Sequence, residues 1–152
     1  MNGRHRERGG ALVEFAIVAP FVCMLFFGAI QFGIVMYWNH TVDYAAAVGA
    51  RWAAVRGASC SNTSVCPVGT ADVQTYVRSV VPGLDAPATV TTTWIAPPST
   101  WAVQPASCAS GSNEVQGCIV NVVVSKPITF VIPFVTGKSL TLSGTSQAVI
   151  QF

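Results

Sequence analysis

Gly9–Trp38 reads GGALVEFAIVAPFVCMLFFGAIQFGIVMYW, and its last 24 residues, Phe15–Trp38, hold no charged side chain. Gln31 is the one clearly polar residue in that run. As a helix at 1.5 Å per residue the run spans roughly 36 Å, enough for a hydrocarbon core of about 30 Å with some tilt. A soluble fold would have to bury such a helix on every side, and a chain of 152 residues has too little else to do so. The reading is a membrane helix over 10–38.

The flanks give it a direction. Arg4, Arg6 and Arg8 stand just before the run against a single acid, Glu7. Basic residues stay on the cytoplasmic side, so the expected orientation is N-terminus inside and the bulk of the chain outside. Residues 1–9 form a polar, basic leader too short to fold, and the helix is expected to begin near Gly10 or Ala11. Pro20 interrupts the run; in lipid, neighbouring groups can satisfy the freed carbonyl, and a local kink is expected there.

Past Trp38 the pattern changes but the helix need not end. Val42, Ala45, Ala46, Gly49, Trp52 and Ala53 recur at spacings of three and four, a one-sided apolar stripe. Tyr37, Trp38 and Tyr44 cluster at the exit, where amphipathic rings prefer the headgroup level. Arg51 and Arg56 flank the stripe, and Gly57 is a reasonable stop. The expectation is one helix of about 45 residues, roughly 70 Å long, lipid-facing over 10–38 and amphipathic over 39–57.

Residues 58–152 read as an extracytoplasmic α+β domain. Ala71–Val81 has the apolar side Val73, Tyr76, Val77, Val80 and Val81, and Pro82–Gly83 ends it. Ala88–Ala96 is rich in β-branched residues, as strands are. Cys118–Lys126 is a second strand, ITFVIPF is extended with Pro133 at an edge or bend, and LTLSGTSQAVIQF alternates down to Phe152. Three or four antiparallel strands laid by one face on the amphipathic half of the helix would cover both apolar surfaces. Trp94 belongs to that core. Trp101 lies in a proline-rich loop and is a candidate contact residue.

Cys60, Cys66, Cys108 and Cys118 fall beyond the helix, and four cysteines allow three pairings. Their close spacing, with Ser, Asn and Gly between partners, favours Cys60–Cys66 and Cys108–Cys118, and so an oxidising compartment. Zinc would need spacings such as C-x₂-C, which neither pair has. Cys23, within the apolar run, is a small hydrophobe. No cofactor is expected. Nor is an enzyme: His40 stands near Asp43 and Tyr44, but the outer part holds no second histidine and no nucleophile elbow. Asp72 and Asp85 are capping and turn residues. A nucleic-acid partner would need a broad basic face, which a net charge of +2 concentrated at one end does not provide.

The order of these pieces resembles a known family. RERGG followed by ALVEFAIVAPF looks like the processing site and apolar segment of type IV pilin-like precursors, specifically the TadE-like family of tight-adherence (Flp) pilus assembly proteins. Phe27–Gly57, with its FG step, exit aromatics and AA-x-x-GAR-x-AA ending, resembles the same family. VVPGLD, VTTTW and NVVVSKPITFVIPF resemble its outer part more loosely. The resemblance implies a pilin-like fold in a bacterial cytoplasmic membrane, single-pass, with the outer domain periplasmic. It implies a prepilin peptidase cutting between Gly9 and Gly10, which makes Glu14 the fifth and Phe15 the sixth residue of the product. It also implies partners: the inner-membrane assembly machinery and other pilin-like subunits, with Glu14 meeting a neighbour's new amine to set subunit register. Where the family often carries glutamate before the aromatic-glycine step, this chain has Gln31, so a second intramembrane charge is lost. Two other readings compete: a membrane-anchored binding or adhesion domain unrelated to pili, and a disulfide-containing protein released by signal peptidase. The apolar run is longer than a usual signal core, and a small-x-small patch comes only at Ala45–Ala47.

Overall fold

The structure, a computed structural model, describes residues 4–60, 65–101, 108, 115–130 and 137–151. Its order is α1 (Arg4–Ala54), α2 (Thr70–Val80), β1 (Thr89–Ile95), β2 (Ile119–Thr129) and β3 (Ser139–Val149). Packing divides the chain into two units, Met1–Tyr37 with Thr129–Leu140, and Trp38–Ile128 with Thr141–Phe152.

α1 is a single helix through Pro20 and across the change from all-round apolar to amphipathic sequence. It begins at Arg4, not near Gly10 as expected, so the backbone of the basic leader is already helical. The double glycine slows helix propagation but does not stop a helix nucleated on both sides of it. At the other end, Arg56 donates from Nη1 to the Trp52 carbonyl at 3.1 Å, and the Gln151 N–H donates to the Ala54 carbonyl at 2.9 Å. Two carbonyls left open by the helix end are thereby satisfied.

In the second unit the expected stripe is the buried face. Val42, Ala45, Ala46, Ala50 and Ala53 are buried there, and small side chains let other elements come close. Trp52 is only half-buried; it stacks on Tyr76 of α2, ring centroids 4.5 Å apart and nearly parallel, and Arg56 Cζ stands over its ring, 4.4 Å from the centroid. α2 buries Val73 and Val77, while Val80, expected inside, is exposed. Gly49 sits where α1, α2 and β2 converge: a Cβ there would lie 2.7 Å from Val77 Cγ2 and 3.3 Å from Val122 Cγ1. Gly49→Leu should therefore destabilise this unit by about 1–3 kcal/mol through overpacking, despite the better helix propensity. Thermal unfolding followed by tryptophan emission would show the loss as a lower midpoint.

The sheet has the order β1–β2–β3. β1 and β2 are antiparallel, from Thr89 opposite Ser125 to Ile95 opposite Ile119. β2 and β3 also run antiparallel, because Ile150 N–H donates to the Cys118 carbonyl at one end and Phe130 N–H to the Lys138 carbonyl at the other. β1 alternates strictly, with Val90, Thr92 and Trp94 inside. They meet Val120, Val122 and Val124 of β2 on the same face. β2 runs on through Pro127, past the expected end at Lys126. Residues 118 and 130 bond to β3, so position 127 directs its missing N–H the other way, where β1 has already ended opposite Ser125. The proline sits on what is locally an edge.

Leu142 of β3 and Ile150 just past its end are buried as the alternation predicts, but Leu140 is exposed. The tight point is Gly144. A Cβ there would fall 2.6 Å from Val42 C, Val42 O and Asp43 N, so the strand lies directly on the backbone of α1. The structure pairs Cys60 with Cys66 and Cys108 with Cys118, Cα atoms 5.9 and 5.7 Å apart. Phe152, the residues inside each disulfide loop at 61–64 and 109–114, and Pro133 with the rest of 131–136 lie outside the described residues.

Candidate functional site: the apolar segment and its inner end

Gly9, Gly10, Glu14 and Phe15 occupy successive turns of α1 and are all exposed. Open space surrounds both glycines, with nothing within 4 Å of where a Cβ would stand. Gly10 and Glu14, four residues apart, share a helix face with a rise of about 6 Å between them. Among the described residues no group pairs with the Glu14 carboxylate. Arg4, Arg6 and Arg8 precede these residues within the helix. This end of the chain therefore presents an accessible Gly-Gly peptide bond and a free acid one turn beyond it.

Farther along, apolar side chains point outward: Phe15 is 71 % exposed, and Leu12, Phe21, Leu25 and Phe26 are comparably open. A helix in a soluble core would be covered. Gln31 stands apart, only 7 % exposed between Ile30 at 59 % and Phe32 at 67 %. Sequence reading marked Gln31 as the polar exception in the run but gave no sign that it is the covered one. The lone free thiol, Cys23, is exposed among the apolar residues.

A second cluster was not foreseen. Lys126 Nζ donates to the Gly83 carbonyl and stands over the Trp38 ring, 4.0 Å from its centroid. Gly83 has φ +80°, and a Cβ on it would meet Trp38 Cη2 at 2.8 Å. A lysine stem and an indole packed at a helix exit form the amphipathic kind of cluster favoured at headgroup level. Pro82–Gly83 and the exit aromatics were legible as a turn and an interface belt; their meeting with Lys126 was not. Trp94 is buried as expected and Trp101 is exposed, in a turn closed by its N–H on the Pro98 carbonyl. Asp72 caps α2, its Oδ2 accepting from Gly69 N–H at 2.9 Å. Among the described residues no three His, Cys, Asp or Glu side chains gather that could hold a metal.

Among the described residues there is one helix long and apolar enough to cross a membrane, together with a small, disulfide-bonded α+β unit. Residues 9–51 match the family model described as TadE-like protein. The match runs from the Gly-Gly step into the amphipathic half of α1, so the resemblance read from this segment holds over it. No curated protein and no solved structure matches the chain.

Proposed function

We propose that the chain is a minor, pilin-like subunit required to assemble a Flp/Tad-type adhesive pilus, held in the cytoplasmic membrane with its leader inside and its disulfide-bonded domain outside. The observation that carries this reading is the TadE-like match over 9–51, which spans the Gly-Gly step, Glu14 and the exposed apolar helix together. A prepilin peptidase cuts between Gly9 and Gly10. The two glycines each weaken the helix by about 1 kcal/mol relative to alanine, which eases local unwinding of a bond that must be extended for hydrolysis. Cleavage removes the arginine-rich leader and leaves an amine at Gly10. The Glu14 carboxylate then receives the amine of an adjacent pilin-like subunit, fixing the axial register of two helices in a medium where an unpaired charge is costly. The outer domain of about 95 residues supports an accessory role over that of a bulk filament subunit, which needs little beyond the helix.

Mass measurement of the membrane-extracted protein tests the reading. A chain beginning at Gly10 is the expected product; an intact Met1 terminus reduces the protein to a membrane anchor, and a start near Val48 makes it a secreted one. Glu14→Gln is expected to leave membrane insertion unchanged and to abolish recovery with pilin-like partners. Unaltered co-purification and pilus assembly in that variant would remove the pairing role.

A further inference from the structure

We infer that the unit holding most of the sheet is seated on the bilayer through a foot of its own. In it Val80, Pro82 and Gly83 enter the headgroup layer beside Trp38, and Lys126 binds a lipid phosphate; the inference rests on the membrane reading of α1. Trp38 is the last residue of the uncharged apolar run and the first of the Trp38–Ile128 unit. Within that unit β2 lies along α1. Near its far end Lys126 stands over Trp38. Next to its start the Cys118 carbonyl accepts from Ile150, and the following Gln151 N–H bonds the Ala54 carbonyl, about 24 Å of helix beyond Trp38. With Trp38 at headgroup level, Lys126 and Gly83 therefore mark the end of the unit nearest the bilayer.

The chemistry of that end fits the interface. Ser79–Leu84 reads SVVPGL, without a charge. Val81 and Leu84 are buried, whereas Val80 is 41 % exposed and Pro82 and Gly83 are exposed beside it. Helical spacing places Val80 with the core-facing Val73 and Val77, so its exposure is the anomaly of α2, and a bilayer surface covers it. The turn and the indole form one surface, because Gly83 has φ +80° and a Cβ on it would meet Trp38 Cη2 at 2.8 Å. Lys126 adds the charge. An ammonium carries three N–H donors; here one goes to the Gly83 carbonyl, and the Trp38 centroid lies 4.0 Å from Nζ. The remaining donors suit a phosphate oxygen of an anionic lipid. A lysine whose stem lies on apolar surface while its head stays at the headgroups is a common interfacial arrangement. Asp85, the acid nearest the turn in sequence, follows only after the buried Leu84.

The test places a fluorescent bimane on single added cysteines in the full chain carrying Cys23→Ala, with the native disulfides kept oxidised. The protein is reconstituted in phosphatidylcholine vesicles with and without phosphatidylglycerol. Val80→Cys probes the foot and Leu25→Cys the apolar helix. Ile95→Cys, exposed and paired with Ile119, reports the opposite end of the sheet, about 23 Å along β2 from Lys126. The Val80 label is expected to lose more than half its emission to lipids bearing a nitroxide on the headgroup, and the Leu25 label to lipids bearing it on the acyl chain. The Ile95 label should respond to neither and be quenched by aqueous iodide. Lys126→Met should at least halve the quenching at Val80 and remove its dependence on phosphatidylglycerol; quenching unchanged in that variant overturns the phosphate contact. A Val80 label that behaves like Ile95 while Leu25 remains lipid-quenched overturns the foot and leaves the anchor intact. So does one shielded from iodide yet untouched by lipid nitroxide, which means a protein covers that surface. If Leu25 is not lipid-quenched, the membrane reading falls first. Pro82→Cys, also exposed, replaces Val80→Cys should that variant not fold.

Discussion

Gly144→Val should leave the apolar half of α1 unchanged and fail to hold the α+β unit together. The ground is the 2.6 Å separation between the position of a Cβ on Gly144 and the backbone at Val42 and Asp43. Side-chain crowding can be relieved by rotation, but here the obstacle is main chain on a helix. The strand must lift off α1 or the helix must bend. Ordinary overpacking costs about 1–3 kcal/mol, and a clash with rigid backbone lies at or beyond the top of that range. For a small domain with a net stability of roughly 5–15 kcal/mol this removes much of the margin. Trypsin in mild detergent gives the readout: Arg78 and Lys126 should resist cleavage in the parent and be cut quickly in the variant. Gly33→Ala is the contrast, since Gly33 has nothing within 4 Å of a Cβ and the helix gains propensity. An undisturbed Gly144→Val domain would mean that β3 does not lie on α1.

The second large effect is expected from removing the Cys108–Cys118 bridge. Cys118 is fully buried at the start of β2, and its carbonyl accepts from Ile150 N–H. The bridge therefore ties the chain before β2 to the place where β2 and β3 first pair. Its sequence separation is ten residues. Loss of a native bridge from a small extracytoplasmic domain typically costs about 2–5 kcal/mol, and Cys118→Ser adds a buried hydroxyl in place of sulfur. Cys108→Ala with Cys118→Ala isolates the bridge from that second penalty. The double variant is expected to unfold at clearly lower denaturant concentration than the parent. Cys60→Ala with Cys66→Ala should shift it less, because both residues are only half-buried. Equal shifts for the two pairs would contradict the packing argument.

Much of this architecture was legible because it is local. The apolar run, the stripe from Val42 to Ala53 and the alternation of Thr89–Ile95 each declare themselves within a dozen residues. The cysteine partners stand close enough in sequence for spacing to favour one pairing. What escaped depends on residues far apart. Gly144 sits in a run of serines and threonines where glycine reads as a weak strand residue, yet it marks contact with a helix a hundred residues earlier. Lys126 looks like the polar end of a strand and instead packs on Trp38. That Gln31 is the covered residue of its run could not be seen from a helical wheel, which treats the helix alone. Near the start of the apolar run, Glu14 was found because an acid beside it is chemically conspicuous, and the structure leaves it exposed. The early start of α1 was missed because paired glycines signal a boundary only when no flanking helix carries through them.

The side chains of α2 do more than fill the core. Gln74 donates to the Val90 carbonyl at 2.7 Å, and Arg78 reaches the Ala88 carbonyl at 3.4 Å, both along the outer margin of β1. A strand arriving from a neighbouring molecule would find those acceptors already engaged and would have to displace a cation and an amide to zip on. That margin of β1 is thereby poorly suited to extending the sheet with a strand from another copy.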